Sequence, residues 1–210
     1  MGSYRPKDKT YMRARREGYR SRAALKLAEL DSRRAILKPG QVVVDLGCWP
    51  GGWLQVAAEK VGPAGRVVGV DIKALAPLGL ANVTTLVGDL TGGETLGRLR
   101  AAVGGKADLV LSDMAPKLSG IAVTDRTRHL ALVEVAAAVA AELLDRGGVM
   151  LVKLFTAVES DATRFLKARF AEVSKTRPAT TRKGSSEIYA LATGLRENDE
   201  RPPREVEVGQ

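Results

Sequence analysis

Four aspartates sit at or just past the ends of four apolar runs. Asp45 follows Val42-Val43-Val44, Asp71 closes 66–71, Asp89 follows 83–87 and Gly88, and Asp113 follows 107–111 and Ser112. Such β-branched runs predict strands of a parallel sheet, whose C-terminal edge is where ligands bind. A single acid there is often a turn former or helix cap. Four in register predict a ligand that welcomes negative charge, which disfavours a pyrophosphate and suits a cationic nucleoside. Asp71 is placed to hold ribose hydroxyls and Asp89 an adenine amine, with Asp45 or Asp113 facing a positive centre. S-adenosylmethionine, with its sulfonium and amino group, matches that demand. A further polar residue, Lys153, interrupts the apolar run Val149-Met150-Leu151-Val152 near its end. Burying an unpaired ammonium is costly, so a carboxylate close by or a chemical role is expected. Two others are ambiguous alone: Lys26 reads as a lysine snorkelling from a helix edge, and Glu187 as an ordinary strand end.

The elements that must position these residues centre on Val42-Val43-Val44-Asp45-Leu46-Gly47-Cys48-Trp49-Pro50-Gly51-Gly52-Trp53, a strand, a glycine-rich turn and the start of a helix. That layout brings backbone close to a ligand at a helix N-terminus. The glycine spacing is not G-x-G-x-x-G, and no G-x-x-x-x-G-K-[ST] occurs, so neither a dinucleotide site nor a P-loop is predicted. Around it the pattern predicts a helix from an N-cap at Ser21 to about Leu37, strands at 41–46, 66–71, 83–87 and 107–111, and a helix over 51–61. A long helix capped by Thr124 or Asp125 and carrying His129, structural or exposed, runs to about Asp145 and is broken by Gly147-Gly148. Strand 149–155, helix 159–170, strand 171–175 and strand 187–192 follow. The order β-α-β-α-β-α-β-α-β-α-β-β predicts an α/β, Rossmann-like fold: seven mostly parallel strands, one antiparallel, with helices on both faces.

At 210 residues, 45% hydrophobic and 4% aromatic, the chain suits one packed domain. It is read as a basic arm over 1–20, a domain over 21–194 and a frayed tail over 195–210. One cysteine and one histidine leave no disulfide and no zinc cluster. No apolar run reaches membrane-spanning length and no signal segment opens the chain, so a cytoplasmic location is expected. The first 40 residues hold twelve Lys/Arg against four Asp/Glu, the other 170 hold 21 against 20. Basic residues alternating with Tyr4, Tyr11 and Tyr19 fit a polyanion with bases to stack on, and the arm is expected to order partly on binding. A solvated tail or an anionic membrane contact is the bland alternative. A second basic cluster comprises Arg164, Lys167, Arg169, Lys175, Arg177, Arg182 and Lys183.

Asp45-Leu46-Gly47-x-x-Pro50-Gly51-Gly52-Trp53, Ser112-Asp113-Met114-Ala115-Pro116, Val152-Lys153-Leu154-Phe155 and Ser186-Glu187-Ile188-Tyr189, with Ser21-Arg22-Ala23-Ala24-Leu25-Lys26-Leu27 ahead of them, resemble the FtsJ family of ribose 2′-O-methyltransferases. The resemblance runs from about residue 10 to 194. It implies a catalytic Lys26-Asp113-Lys153-Glu187 tetrad in which Lys153 is the general base, oriented by Asp113, while Lys26 and Glu187 hold the hydroxyl and its ribose. It also implies S-adenosylmethionine as cofactor, with contacts from Gly51, Trp53, Asp71, Asp89 and Asp113, and from Asp45 and Gly47 in the same turn. The implied substrate is a uridine ribose of large-subunit ribosomal RNA, within the subunit or its precursor, with no metal, membrane or obligate protein partner. Cys48-Trp49 stands where relatives often have small residues. Other readings are a 2′-O-methylase of transfer RNA or another ribosomal site, and a non-catalytic RNA-binding assembly factor. A nicotinamide-dependent dehydrogenase has the wrong glycine spacing.

Overall fold

The computed structural model describes residues 9–181 and 184–196. Tyr4, Arg5 and Lys7 of the basic arm, Arg182 and Lys183 of the second cluster, and the tail from 197 lie outside them. Seven strands, β1 (Val42–Leu46), β2 (Arg66–Asp71), β3 (Val83–Val87), β4 (Ala107–Ser112), β5 (Leu144–Phe155), β6 (Phe170–Thr176) and β7 (Glu187–Leu195), form one sheet in the order β3-β2-β1-β4-β5-β7-β6. β7 slots between β5 and β6 and is antiparallel to both, while the other neighbours pair in parallel. The strand order reverses between β1 and β4. Their C-terminal ends therefore diverge into a crevice, the ligand position of open α/β sheets.

The period of two along each strand divides the core. Val43, Leu109, Leu111, Leu151 and Tyr189 face α2 (Ala23–Arg34) and α3 (Gly52–Val61), whose Leu27, Leu30, Trp53 and Leu54 cover them. Val44, Val68, Val110 and Met150 face the opposite layer of α4 (Gly93–Val103), α5 (Ala122–Leu143) and α6 (Glu159–Lys167). Among the described residues no helix is long and apolar enough to cross a membrane.

Several boundaries differ from the sequence pattern, each for a physical reason. The arm holds a helix, α1 (Lys9–Arg16), anchored by the fully buried Ala14, whose carbonyl accepts the Tyr19 N–H at 2.9 Å. α2 is preceded by Arg22, not capped by Ser21, because the Ser21 hydroxyl points into the helix pair. A Cβ on Gly52 would lie 2.3 Å from it. The same helix stops at Arg34, where Ala35 turns left-handed and the Asp31 carboxylate takes the Leu37 N–H at 2.8 Å. No helix crosses from β2 to β3. Residues 72–82 run as an irregular segment whose Leu75 and Leu78 pack on the α2/α3 core, with the Arg20 guanidinium bonded to the Ala76 and Pro77 carbonyls at 2.5 and 2.6 Å. Nor is α5 capped by Thr124 or Asp125: it follows Ile121, and the Asp125 carboxylate folds back on the N–H groups of Ser119 and Gly120. β5 begins at Leu144 directly after α5, and Gly147-Gly148 form a bulge within it, where the register with β4 breaks.

Candidate active site

The register Ser112↔Val152 between β4 and β5 brings Asp113, one residue past β4, beside Lys153. Lys153 Nζ lies 3.1 Å from Asp113 Oδ1 and also donates to the Asp113 carbonyl. Across the antiparallel pair Lys153 faces Tyr189, whose hydroxyl donates to the same Asp113 Oδ1 at 2.8 Å. Two residues earlier on β7, hence on the same face, Glu187 accepts a 2.6 Å bond from Lys26 Nζ, which α2 delivers over the sheet. Two ammoniums and two carboxylates from four elements thus meet at the C-terminal edge of the parallel strands. Both lysines are nearly buried, and each has the carboxylate that its burial requires.

The pairs also act on each other. Burial pushes the Glu187 carboxyl up, but the hydrogen bond and charge of Lys26, joined by the charge of Lys153, outweigh it and hold the group below its ordinary range. Burial and the Asp113 charge push the Tyr189 hydroxyl far above the usual phenol range, so it remains a donor. Sequence reasoning gave Tyr189 no part in the site. Its place two residues after Glu187, on one face of a strand, is the signal that could have found it.

Beside the tetrad, at the switch point, lies a cavity of about 370 Å³. Gly47, Asp71, Asp89 and Asp113 line it with Met114, and Val70, Ile72 and Leu90 supply apolar wall. Gly47 has a φ of +77°, and a Cβ there would lie 2.5 Å from Met114 Cγ, so only glycine lets the loops after β1 and β4 close together. Asp71 takes the N–H groups of Lys73 on Oδ1 and Trp49 on Oδ2, both at 2.9 Å. Asp89 Oδ1 takes the Thr91 N–H and hydroxyl, which hold its carboxyl below the ordinary range. A carboxylate has about four acceptor positions, so both acids keep capacity for hydroxyl or amine donors. Acidic acceptors and an apolar slot fit the cationic nucleoside expected from the strand-end acids. Trp49 forms the rim with half its surface exposed and the Lys73 ammonium 4.5 Å from its ring centre.

Three residues expected at the cofactor lie outside this lining. Trp53 is buried, donating from Nε1 to the Ala23 carbonyl at 2.8 Å and packing against Tyr189, so it ties α3 to α2. Gly51, at φ +106°, lies under Leu75 and Leu78. Asp45 is 1% exposed beneath the turn, and neither carboxylate oxygen has a partner among the described residues. His129 is likewise fully buried, stacked on Phe155 at 4.2 Å, its pKa pushed down to about 4 by burial and the Lys153 charge.

Asp45 carries a stability consequence. Burial, then the charges of Asp113 and Asp71, raise its carboxyl far above the ordinary range. An acid with a raised folded-state pKa binds its proton more tightly when folded, so it costs stability as pH rises above the unfolded value of about 4. Asp45→Asn is therefore expected to melt several degrees above the parent at pH 8, the gap closing toward pH 4. Parallel thermal melts across that range check this, and a gap independent of pH would contradict it.

The chain and its fold have counterparts among known proteins. A family model described as FtsJ-like methyltransferase matches residues 19–195. A protein of Paramagnetospirillum magneticum named ribosomal RNA large subunit methyltransferase E is 47% identical over 193 residues, covering 89% of this chain and 78% of its own. One of the same name from Halorhodospira halophila is 47% identical over 184 residues, covering 87% and 86%. A crystal structure described as a ribosomal RNA methyltransferase from Plasmodium falciparum superimposes with a TM-score of 0.73 at 28% identity, over 84% of this chain and 98% of that one.

Proposed function

The chain belongs to the FtsJ-like methyltransferase family, and from that premise we propose that it methylates a ribose 2′-hydroxyl of RNA, on a uridine of large-subunit ribosomal RNA. The observation that carries this reading is the meeting of Lys26, Asp113, Lys153 and Glu187 beside a cavity lined by acids. When bound, S-adenosylmethionine supplies an electrophilic methyl group on a sulfonium. Asp71 would hold the ribose hydroxyls of that cofactor and Asp89 its adenine amine, and Asp113 lines the cavity between these acids and Lys153.

A ribose hydroxyl is a poor nucleophile, so the chain must remove its proton and fix its line of approach. Lys153 Nζ takes the proton as the neutral amine, its own ammonium proton having gone to solvent beforehand, and so ends the step as the ammonium that Asp113 pairs with. Asp113, held by the Tyr189 hydroxyl, fixes the amine in place. Lys26 and Glu187, locked together at 2.6 Å, orient the hydroxyl and its ribose. The ribosomal substrate follows from the names of the relatives, and a cytoplasmic enzyme acting on the large subunit or its precursor is the corresponding setting. The basic residues concentrated in the first 40 positions supply the sequence-independent attraction such a substrate needs.

Incubating purified protein and methyl-labelled S-adenosylmethionine with large subunits from cells lacking the protein is expected to label one ribose of the large RNA. Mapping by alkaline cleavage then identifies a 2′-O-methyluridine. Label on a base, or only on transfer RNA, would overturn the ribose or the ribosomal part respectively.

A further inference from the structure

The cavity at the switch point carries two large apolar side chains open to solvent. Trp49 is half exposed and Ile72 is 70% exposed, and both belong to the cavity lining. A lone exposed apolar side chain is ordinary on a protein surface. Two that line one cavity leave apolar surface for a ligand to cover.

The Trp49 ring is held from two directions. Its own N–H donates to Asp71 Oδ2 at 2.9 Å, and the Lys73 ammonium lies 4.5 Å from the ring centre. Lys73 is tied to the same acid, through its N–H on Asp71 Oδ1 at 2.9 Å. One carboxylate therefore fixes the backbone of both residues, and the attraction between cation and ring fixes how their side chains meet. An aromatic side chain placed before its ligand arrives loses little freedom on binding, so its contact area converts more fully into affinity.

The anchor says which part of a ligand the ring meets. Asp71 is the acid assigned to the ribose hydroxyls of the cofactor, and Trp49 is bonded to it directly. Asp113, beside Lys153, belongs to the reacting end of the cavity. We propose that Trp49 is a further cofactor-binding residue, whose ring, steadied by Lys73, packs on the nucleoside half of S-adenosylmethionine and slows its release. The proposal rests on the cofactor reading given above. An indole that packs on a nucleoside is indifferent to the charge on sulfur, so it holds methylated and demethylated cofactor alike.

The test titrates S-adenosylmethionine, S-adenosylhomocysteine and adenosine separately into the purified full chain. Trp49 and Trp53 are the only tryptophans, and Trp53 is buried outside the cavity lining, so a change of emission on binding reports Trp49. Each ligand is expected to move that emission along a saturable curve. Trp49→Phe, which keeps a ring, should bind as the parent does by calorimetry and show no such change. Trp49→Ala should weaken all three ligands about tenfold, the lower end of what alanine costs where an aromatic ring packs on a base. Chasing labelled S-adenosylhomocysteine from the alanine variant should show the loss as faster release. Lys73→Met, which keeps the stem and removes the cation, should weaken them about threefold. Equal binding by parent and Trp49→Ala, or an emission that no ligand moves, would overturn the assignment. A loss confined to S-adenosylmethionine would overturn its nucleoside part and place the ring at the sulfonium. A parent that binds none of the three would sink the cofactor reading itself, and the role of Trp49 with it.

Discussion

Lys153→Met is expected to lower the single-turnover rate of methyl transfer by roughly a thousandfold, within the range that general-base catalysis supplies, with the dissociation constant of S-adenosylmethionine unchanged within about threefold. The expectation rests on what methionine keeps and what it removes. It fills the channel of the lysine stem, buried between β4 and β7, but has no Nζ to accept a proton or to bridge Asp113. Asp113 retains the Tyr189 hydroxyl and is itself partly open to water, so the variant does not strand a naked charge in the core. Lys153→Arg separates two roles for the ammonium. Arginine preserves positive charge and donors but cannot act as a base, because its guanidinium stays protonated. Both variants are therefore expected to be equally inactive. An Arg variant that kept most of the rate would show that a cation suffices at this position, and would take the proton away from Lys153.

The parts of this arrangement legible in the chain were those confined to one window. Strands at 66–71 and 83–87 were readable at their observed bounds, because β-branched runs end there in turn chemistry. Lys153 stood out because an ammonium interrupts a strand that is otherwise apolar. Lys26 and Glu187 were ambiguous for the opposite reason. Their pairing spans 161 residues, so no window holds both, and only the family resemblance linked them. Long-range packing also hid other features. Among the described side chains of α1 only Ala14 is buried, too little to make a helical period, and residues 72–82 are held by Arg20 and by apolar contacts and not by their own pattern. Trp53 illustrates a different limit. The family resemblance implied a cofactor contact from it, and the structure adds that its indole N–H donates to the Ala23 carbonyl, a partner that only the helix pair reveals.

Asp71→Ala is expected to raise the dissociation constant of S-adenosylmethionine about a hundredfold, measured by calorimetry without any methyl acceptor. The carboxylate has two tasks. It already receives the N–H groups of Trp49 and Lys73, which shape the rim of the cavity, and it lines that cavity with acceptor positions to spare. Hydrogen bonds to a charged group contribute about 1.5–3 kcal/mol each, so losing two of them accounts for the predicted factor even after partial compensation by water. S-adenosylhomocysteine makes the test specific. It carries the same ribose without the sulfonium charge, so a residue that holds ribose hydroxyls weakens both ligands alike, whereas one that reads the positive centre weakens S-adenosylmethionine more. Equal losses are expected for Asp71→Ala. Asp71→Asn, which keeps one oxygen and loses the charge, should fall between parent and alanine variant. A loss confined to S-adenosylmethionine would move Asp71 from the ribose to the sulfonium, and unchanged binding of both would remove it from the cofactor site.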